Sequence, residues 1–203
     1  MTSVVLASGN AGKLRELEAL LAPLGFTVTP QSAFAIETPP ETGTTFVENA
    51  LLKARYAARL TGRPALADDS GIEVDALRGR PGVYSARYAG EGASDADNLQ
   101  KMLEELASVS PAKRSARYQC VIVLVSEVND SDPVIAQGTW EGQITTEPRG
   151  SGGFGYDPIF LPAGFDRTAA ELSPGEKNAI SHRGQARRSL VAKLKGGAAA
   201  VRP

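Results

Sequence analysis

Three carboxylates stand where a chain of mixed strands and helices could use them. Asp68 and Asp69 directly follow the short apolar stretch Ala65–Ala67, and Glu41 lies upstream. Hard oxygen donors suit Mg²⁺, which usually takes one or two carboxylates and leaves its other positions to phosphates and water. A carboxylate just beyond a short strand can hold the metal, accept a proton from water, or do both. A lone acidic pair serves just as well in a turn or a helix cap, and taken alone that plainer reading is the stronger one.

Three further clusters have the residue types of nucleotide chemistry. Ser8, Gly9, Asn10, Ala11, Gly12 and Lys13 form a turn between an apolar strand and a helix. Backbone N–H groups at a helix N-terminus, with a lysine beside them, attract phosphate. The run is not a Walker A loop, because Ala7 stands at the first glycine position and Leu14 follows the lysine. By itself it reads equally well as a simple connection. The segment GSGGFGYD, residues 150–157, matches G-x-G-x-x-G formally. Tyr156 to Phe160 reads as a strand rather than a helix, which removes the dinucleotide fingerprint. A base-stacking platform at Phe154 competes there with a core phenylalanine beside a bulge, and on this stretch alone the core reading is the stronger one. Finally, Lys177, Ser181, His182 and Arg183 gather hydrogen-bond donors at a helix start, fit for reading keto oxygens of a base or for neutralising phosphates. Singly, His182 and Arg183 read as a locally bonded residue and a solvated charge. Phosphate loop, acidic group, aromatic and donor cluster together have the makings of a site that hydrolyses a nucleoside triphosphate.

Positioning these groups requires an alternation of strands and helices. Val4–Ala7 reads as a buried strand, and Leu14, Leu17, Leu20, Leu21 and Leu24 give the next helix an apolar face that ends at Pro23 and Gly25. Thr45 and Glu48 form a capping-box pattern opening a helix that Gly62 closes. A strand over Ala65–Ala67 leads into an expected loop, Asp68 to Gly71. A third helix covers about Asp95 to Ala107. Arg117–Ser126 is rich in β-branched residues and pairs with a strand near Val134–Trp140 across a turn. Ile159–Leu161 is a short strand. Ser173, Pro174 and Glu176 mark one helix start, and Ser181 caps another carrying Ala186, Leu190, Val191 and Leu194. The fold class is α/β with a mixed sheet and flanking helices.

Composition narrows the partners. At 203 residues the chain suits a single domain, residues 1–203, with room for two lobes around a cleft. The 22 basic residues nearly cancel the 23 acidic ones, and a net charge of -1 argues against non-specific nucleic-acid binding. One cysteine, Cys120, and one histidine, His182, exclude an internal disulfide and any metal site built from several of either. The start, MTSVVLASGN, has no basic stretch before its apolar run and does not read as a secretory signal. The longest apolar run, Cys120–Val125, is far shorter than the roughly 20 residues that cross a bilayer. A cytoplasmic protein with no membrane partner is expected. The only biased segment is a Gly/Ala tail after Lys195.

SGNAGKLRE, ETGTTFVENALLKA, ADDSGIEVDAL, PGVYSARYAG, GGFGYDPIF and EKNAISHRGQA occur in this order. On these segments, which extend from Val4 to about Leu194, the chain closely resembles the inosine/xanthosine triphosphate pyrophosphatase family. The resemblance implies an elongated, two-lobed α/β protomer with a central cleft, a homodimer, and Mg²⁺-dependent cleavage of ITP, dITP and XTP to monophosphate and pyrophosphate. It implies that Ser8 to Lys13 hold the triphosphate and that Lys53 faces it. Glu41 and Asp69 would bind Mg²⁺, with Asp69 the proton acceptor. Ser70 would touch substrate. Phe154, Gly155, Tyr156 and Asp157 would wall the base pocket, and Lys177, His182 and Arg183 would read the base. A related pyrophosphatase of the septum-inhibitor type fits the donor cluster less well. A nucleotide sensor without hydrolysis has no need of Glu41 and Asp69.

Overall fold

Apolar and β-branched residues fill six segments. In a computed structural model of the chain, which describes residues 2–196, these segments form one sheet in the order β2-β1-β3-β4-β5-β6. The strands are β1 (Thr2–Leu6), β2 (Phe26–Pro30), β3 (Ala65–Val74), β4 (Ser115–Val125), β5 (Val134–Ile144) and β6 (Phe160–Pro162). β1 runs parallel to β2 and β3, and β6 antiparallel to β5. The sheet is therefore mixed and the fold α/β. The helices are α1 (Ala11–Leu21), α2 (Phe46–Thr61), α3 (Asp95–Glu105), α4 (Pro174–Ile180) and α5 (His182–Gly196). No described helix is long and apolar enough to cross a membrane. The Gly/Ala tail beyond Gly196 lies outside the described residues.

Packing divides the chain into two units. One holds residues 2–69, 120–137 and 186–196; the other holds Ser70–Gln119 and Gly138–Gln185. In the first unit, strand alternation sorts the side chains onto two faces. Val4, Leu6, Leu66, Cys120, Ile122 and Leu124 share a cluster with Leu17 and Leu21 of α1 and Ala186 and Leu190 of α5. Val5 and Ala67 point the other way, the side to which α2 brings its buried alanines Ala50, Ala54, Ala57 and Ala58. Short side chains let that helix lie close. In the second unit, Ile72, Val74, Met102, Leu106, Trp140, Ile144, Ile159 and Phe160 form the core. Phe160 is fully buried, with its ring centroid 4.7 Å from Tyr118 and 5.1 Å from Trp140.

The predicted helix starts are observed where capping chemistry marks them. Thr45 and Glu48 close a capping box on α2, as Ser173 and Glu176 do on α4. Gly62 ends α2 in the left-handed conformation. Two local expectations are overturned. Asp68 to Gly71 is not a loop, because β3 continues through it to Val74. Both aspartates have lysine partners there, so the strand can carry them inward, and Ile72, Glu73 and Val74 restore a favourable strand sequence. Tyr156 to Phe160 is not one strand either. Asp157–Ile159 is a turn of 3₁₀ helix, and the strand begins at Phe160. Pro158 supplies no N–H for a sheet ladder and holds φ near helical values.

Phe160→Ala should lower the unfolding free energy by about 3–5 kcal/mol. Urea unfolding followed by fluorescence of Trp140, the sole tryptophan, would measure it.

Candidate functional site

The first unit gathers the acidic residues around two lysines. Because Asp68 and Asp69 are consecutive on β3, they point to opposite faces. Asp68 meets α1, where Lys13 Nζ lies 2.6 Å from its Oδ2. Asp69 meets α2, where Lys53 Nζ donates to its Oδ1 at 3.0 Å. The same ammonium donates to Glu41 Oε1 at 2.7 Å. Glu41 arrives on a loop tied to the start of α2. Asn49, fully buried, accepts the Gly43 N–H at 2.8 Å, and Glu48 accepts the Thr44 and Thr45 N–H groups. Gly43 is required there, since a Cβ would sit 2.7 Å from both Asn49 Oδ1 and Glu48 Cβ.

Burial raises the Asp69 carboxyl above its ordinary pKa; Lys53 opposes this without cancelling it, Glu41 adds to it, and Asn49 opposes it weakly. For Lys53, burial disfavours the ammonium, but Asp69 and Glu41 outweigh it and its pKa is raised. Asp69 Oδ2 is buried and receives no hydrogen bond of ordinary geometry among the described residues. These residues fit a hard divalent cation in donor type: carboxylate oxygens from Glu41 and Asp69 converge on one positive centre. No described group of three or more acidic, histidine or cysteine side chains closes around a point as a complete metal cage. The fit is therefore to an ion that takes two protein carboxylates and fills its shell from substrate and water, as Mg²⁺ does.

At the turn before α1, Asn10 is the N-cap. Its side-chain oxygen accepts the Gly12 N–H at 2.8 Å and the Lys13 N–H at 3.1 Å, and its own N–H donates to Ser8 Oγ. Two of the amides expected to face phosphate thus already have an acceptor.

The second unit gathers the aromatic and the donors. Phe154 is 47 % exposed, unlike a core phenylalanine, with Lys177 Nζ and Arg183 Cζ each 4.5 Å from its ring centroid. Asp157, almost wholly buried, accepts the Phe154 N–H at 2.7 Å and the Lys177 ammonium. Gly153, at φ +77°, makes room, since any Cβ there would collide with the Asp157 carboxylate. Tyr156 is buried, and its hydroxyl donates to the Ser85 carbonyl at 2.8 Å. Arg183 donates to Ser70 Oγ at 3.4 Å. His182 is buried, 4.6 Å from the Tyr118 ring and nearly parallel to it at 7°. Ser8 to Lys13, Glu41, Lys53 and Asp69 thus belong to the first unit, and Ser70, Phe154 to Asp157, Lys177, His182 and Arg183 to the second. The supporting residues Asn49, Ser85 and Asp95, whose carboxylate accepts the Gly155 N–H, were not anticipated. The S-x-x-D capping pattern of Ser94 and Asp97 does fix the start of α3, and with it the place of Asp95. Asn49 and Ser85 act over tertiary distances that no local pattern marks.

Replacing Lys53 with Met would leave Glu41 and Asp69 facing one another without their shared cation. The loss should be about 2–3 kcal/mol at neutral pH, less than for a wholly buried pair because Glu41 is partly exposed. The Asp69 carboxyl would rise further. A carboxyl raised in the folded state destabilises it above that pKa and costs nothing below the unfolded value. The melting-temperature gap between Lys53→Met and the parent should therefore narrow as pH falls through the acid range, as measured by calorimetry.

Relatives share this sequence throughout. The chain is 54% identical to a dITP/XTP pyrophosphatase of Shigella flexneri over 97% of its length and all of that protein. It is 57% identical to one from Thioalkalivibrio sulfidiphilus over 95% of its length and 98% of that protein. Among solved structures, a HAM1 protein from Coxiella burnetii superposes with a TM-score of 0.93 at 54% identity, covering 97% of this chain and all of that one. The Staphylococcus aureus Ham1 protein superposes at 0.90 with 41% identity, with the same coverage. The Ham1 family model matches residues 4–193, nearly the whole described fold, and the chain belongs to the Ham1 family.

Proposed function

We propose that the chain is a Mg²⁺-dependent nucleoside triphosphate pyrophosphatase that removes ITP, dITP and XTP, the deaminated purine nucleotides, from the precursor pool of the cytoplasm, working as a homodimer. The observation that carries this reading is the meeting of Glu41 and Asp69 on the single ammonium of Lys53, with Asp69 Oδ2 buried and in no hydrogen bond of ordinary geometry among the described residues. The names of the relatives from Shigella flexneri and Thioalkalivibrio sulfidiphilus support it.

Glu41 and Asp69 would hold the metal, and when bound it supplies positive charge to the triphosphate. Asp69 is in addition the proton acceptor. With Oδ1 turned to the Lys53 ammonium, Oδ2 is the oxygen available for the proton. Water adds across the bond joining the α- and β-phosphates, its proton passes to Asp69, and the products are nucleoside monophosphate and pyrophosphate. Lys53 keeps both carboxylates ionised and in place. Ser8, Gly9, Asn10, Ala11, Gly12 and Lys13 bind the phosphates, chiefly through the Lys13 charge and the amides that Asn10 does not occupy.

For the base, Phe154 supplies the stacking surface, while Lys177 and Arg183 supply donors beside it. His182, with Tyr118 against its ring, adds a donor, and Ser70 holds Arg183. Gly155, Tyr156 and Asp157 shape the wall. A keto oxygen at purine C6 satisfies these donors. The adenine amine would leave them unpaired, at about 1–3 kcal/mol each. Such a site can discriminate by up to roughly 10⁴–10⁵-fold.

Incubation with dITP and Mg²⁺ should yield dIMP and pyrophosphate, with activity lost in EDTA. Stepwise release of orthophosphate would refute the reading. In the same assay, Asp69→Asn should lose roughly 10²–10⁴-fold in kcat. A variant keeping half of the parent's turnover would remove Asp69 from the mechanism.

Base choice is tested separately. Arg183→Ala should lower kcat/KM for ITP far more than for ATP. Parent protein cutting both with similar kcat/KM would disprove the role given to these donors.

A further inference from the structure

Phe154 is half exposed, with the cationic ends of Lys177 and Arg183 over its ring instead of a close-packed core around it. Its direction therefore depends also on the backbone beneath it, which runs through two residues at positive φ, Gly153 at +77° and Gly155 at +60°. Such a stretch has little stiffness of its own. Two consecutive N–H groups hold it. The Phe154 N–H donates to Asp157 Oδ2 at 2.7 Å, a contact within the same loop. The Gly155 N–H donates to Asp95 Oδ2, also at 2.7 Å, across 60 residues of chain.

We propose that Asp95 is a positioning residue for the aromatic platform, clamping the Gly155 amide so that Phe154 faces the base. The proposal rests on the reading of Phe154 as that platform. The ordinary use of an aspartate in the first turn of a helix is to cap it or to complement its dipole. On α3 the cap is already complete. Ser94 and Asp97 close a capping box, and Asp97 accepts the Ser94 N–H at 2.9 Å. Asp95 Oδ2 is turned instead to the glycine loop. One turn along the same face, the buried Asn98 accepts the Ala89 N–H at 2.7 Å and donates to the Ala86 carbonyl. That segment carries Ser85, whose carbonyl receives the Tyr156 hydroxyl. Helix α3 thus anchors the aromatic loop directly through Asp95 and indirectly through Asn98, Ser85 and Tyr156.

Three variants separate this role from general weakening of α3. Asp95→Ala removes the acceptor. Asp95→Asn keeps an acceptor oxygen and loses the charge. Asp97→Ala damages the same helix end without touching the loop. Two measurements apply: KM and kcat for dITP, and hydrogen exchange of the Gly155 amide in protein without nucleotide. Asp95→Ala should raise KM about fivefold to tenfold, the scale of one ordinary solvent-exposed hydrogen bond, with kcat within about twofold. It should also speed Gly155 exchange about tenfold. Asp95→Asn should recover most of both effects. Asp97→Ala should lower the melting temperature and leave KM in place. The proposal is overturned if Asp95→Ala leaves either KM or Gly155 exchange unchanged, if Asp95→Asn fails as fully as Asp95→Ala, or if Asp97→Ala raises KM equally. The exchange measurement needs no substrate. Should the parent protein fail to cut dITP, the proposed function falls, and Gly155 exchange still decides whether the clamp exists.

Discussion

Two carboxylates side by side in the middle of a strand dominate the physics of the first unit. Asp68 and Asp69 are each more than nine-tenths buried, a position that ionised groups rarely occupy without partners. Neighbours on a strand face opposite ways, so no single cation can serve both. One lysine must come from each side: Lys13 on α1 meets Asp68, and Lys53 on α2 meets Asp69. That requirement places a helix against each face of β3. It also accounts for the register of α2, whose alanines allow the close approach that brings Lys53 to its partners. Glu41 then completes a triad whose central ammonium is held from two directions.

In the second unit the same logic operates at one carboxylate. Asp157 is buried at the foot of a glycine loop and is satisfied by the Phe154 N–H, the Lys177 ammonium and, at 3.4 Å, the Tyr118 hydroxyl. Tyr118 in turn lies against His182, and burial together with the Asp157 charge keeps its hydroxyl protonated well beyond the usual phenol range. Side chains named as separate candidates from the sequence are thus parts of one packed arrangement.

Legibility followed the range of the interaction. Helix starts were readable at Thr45 and Ser173 because a capping box closes within four residues. The exposure of Phe154 was not readable locally, since one aromatic beside a glycine-rich bulge suits a core position at least as well. The course of β3 was not readable. Aspartates disfavour strands, and the lysines that neutralise them stand at positions 13 and 53, outside any window around residue 68. The turn at Asp157 lies behind an apolar pattern that suits a strand, with Pro158 as the one local mark of the break. Asn49 and Ser85 hold backbone groups of other segments, and nothing in their neighbours' types announces it.

The cap at Asn10 bears on how the start of α1 could hold an anion. Its side-chain oxygen is an internal competitor for any anion that reaches the start of α1, since it already holds the Gly12 and Lys13 amides. An incoming oxyanion exchanges one acceptor for another at those two groups, so its net gain is the difference between two hydrogen bonds of similar strength. A lone phosphate therefore gains little and departs quickly. A longer polyanion also meets Lys13, whose charge it must share with Asp68, and gains by the number of groups it engages at once. If the triphosphate sits at this turn as proposed, an occupied cap would set a threshold on ligand valence and favour the exit of short products.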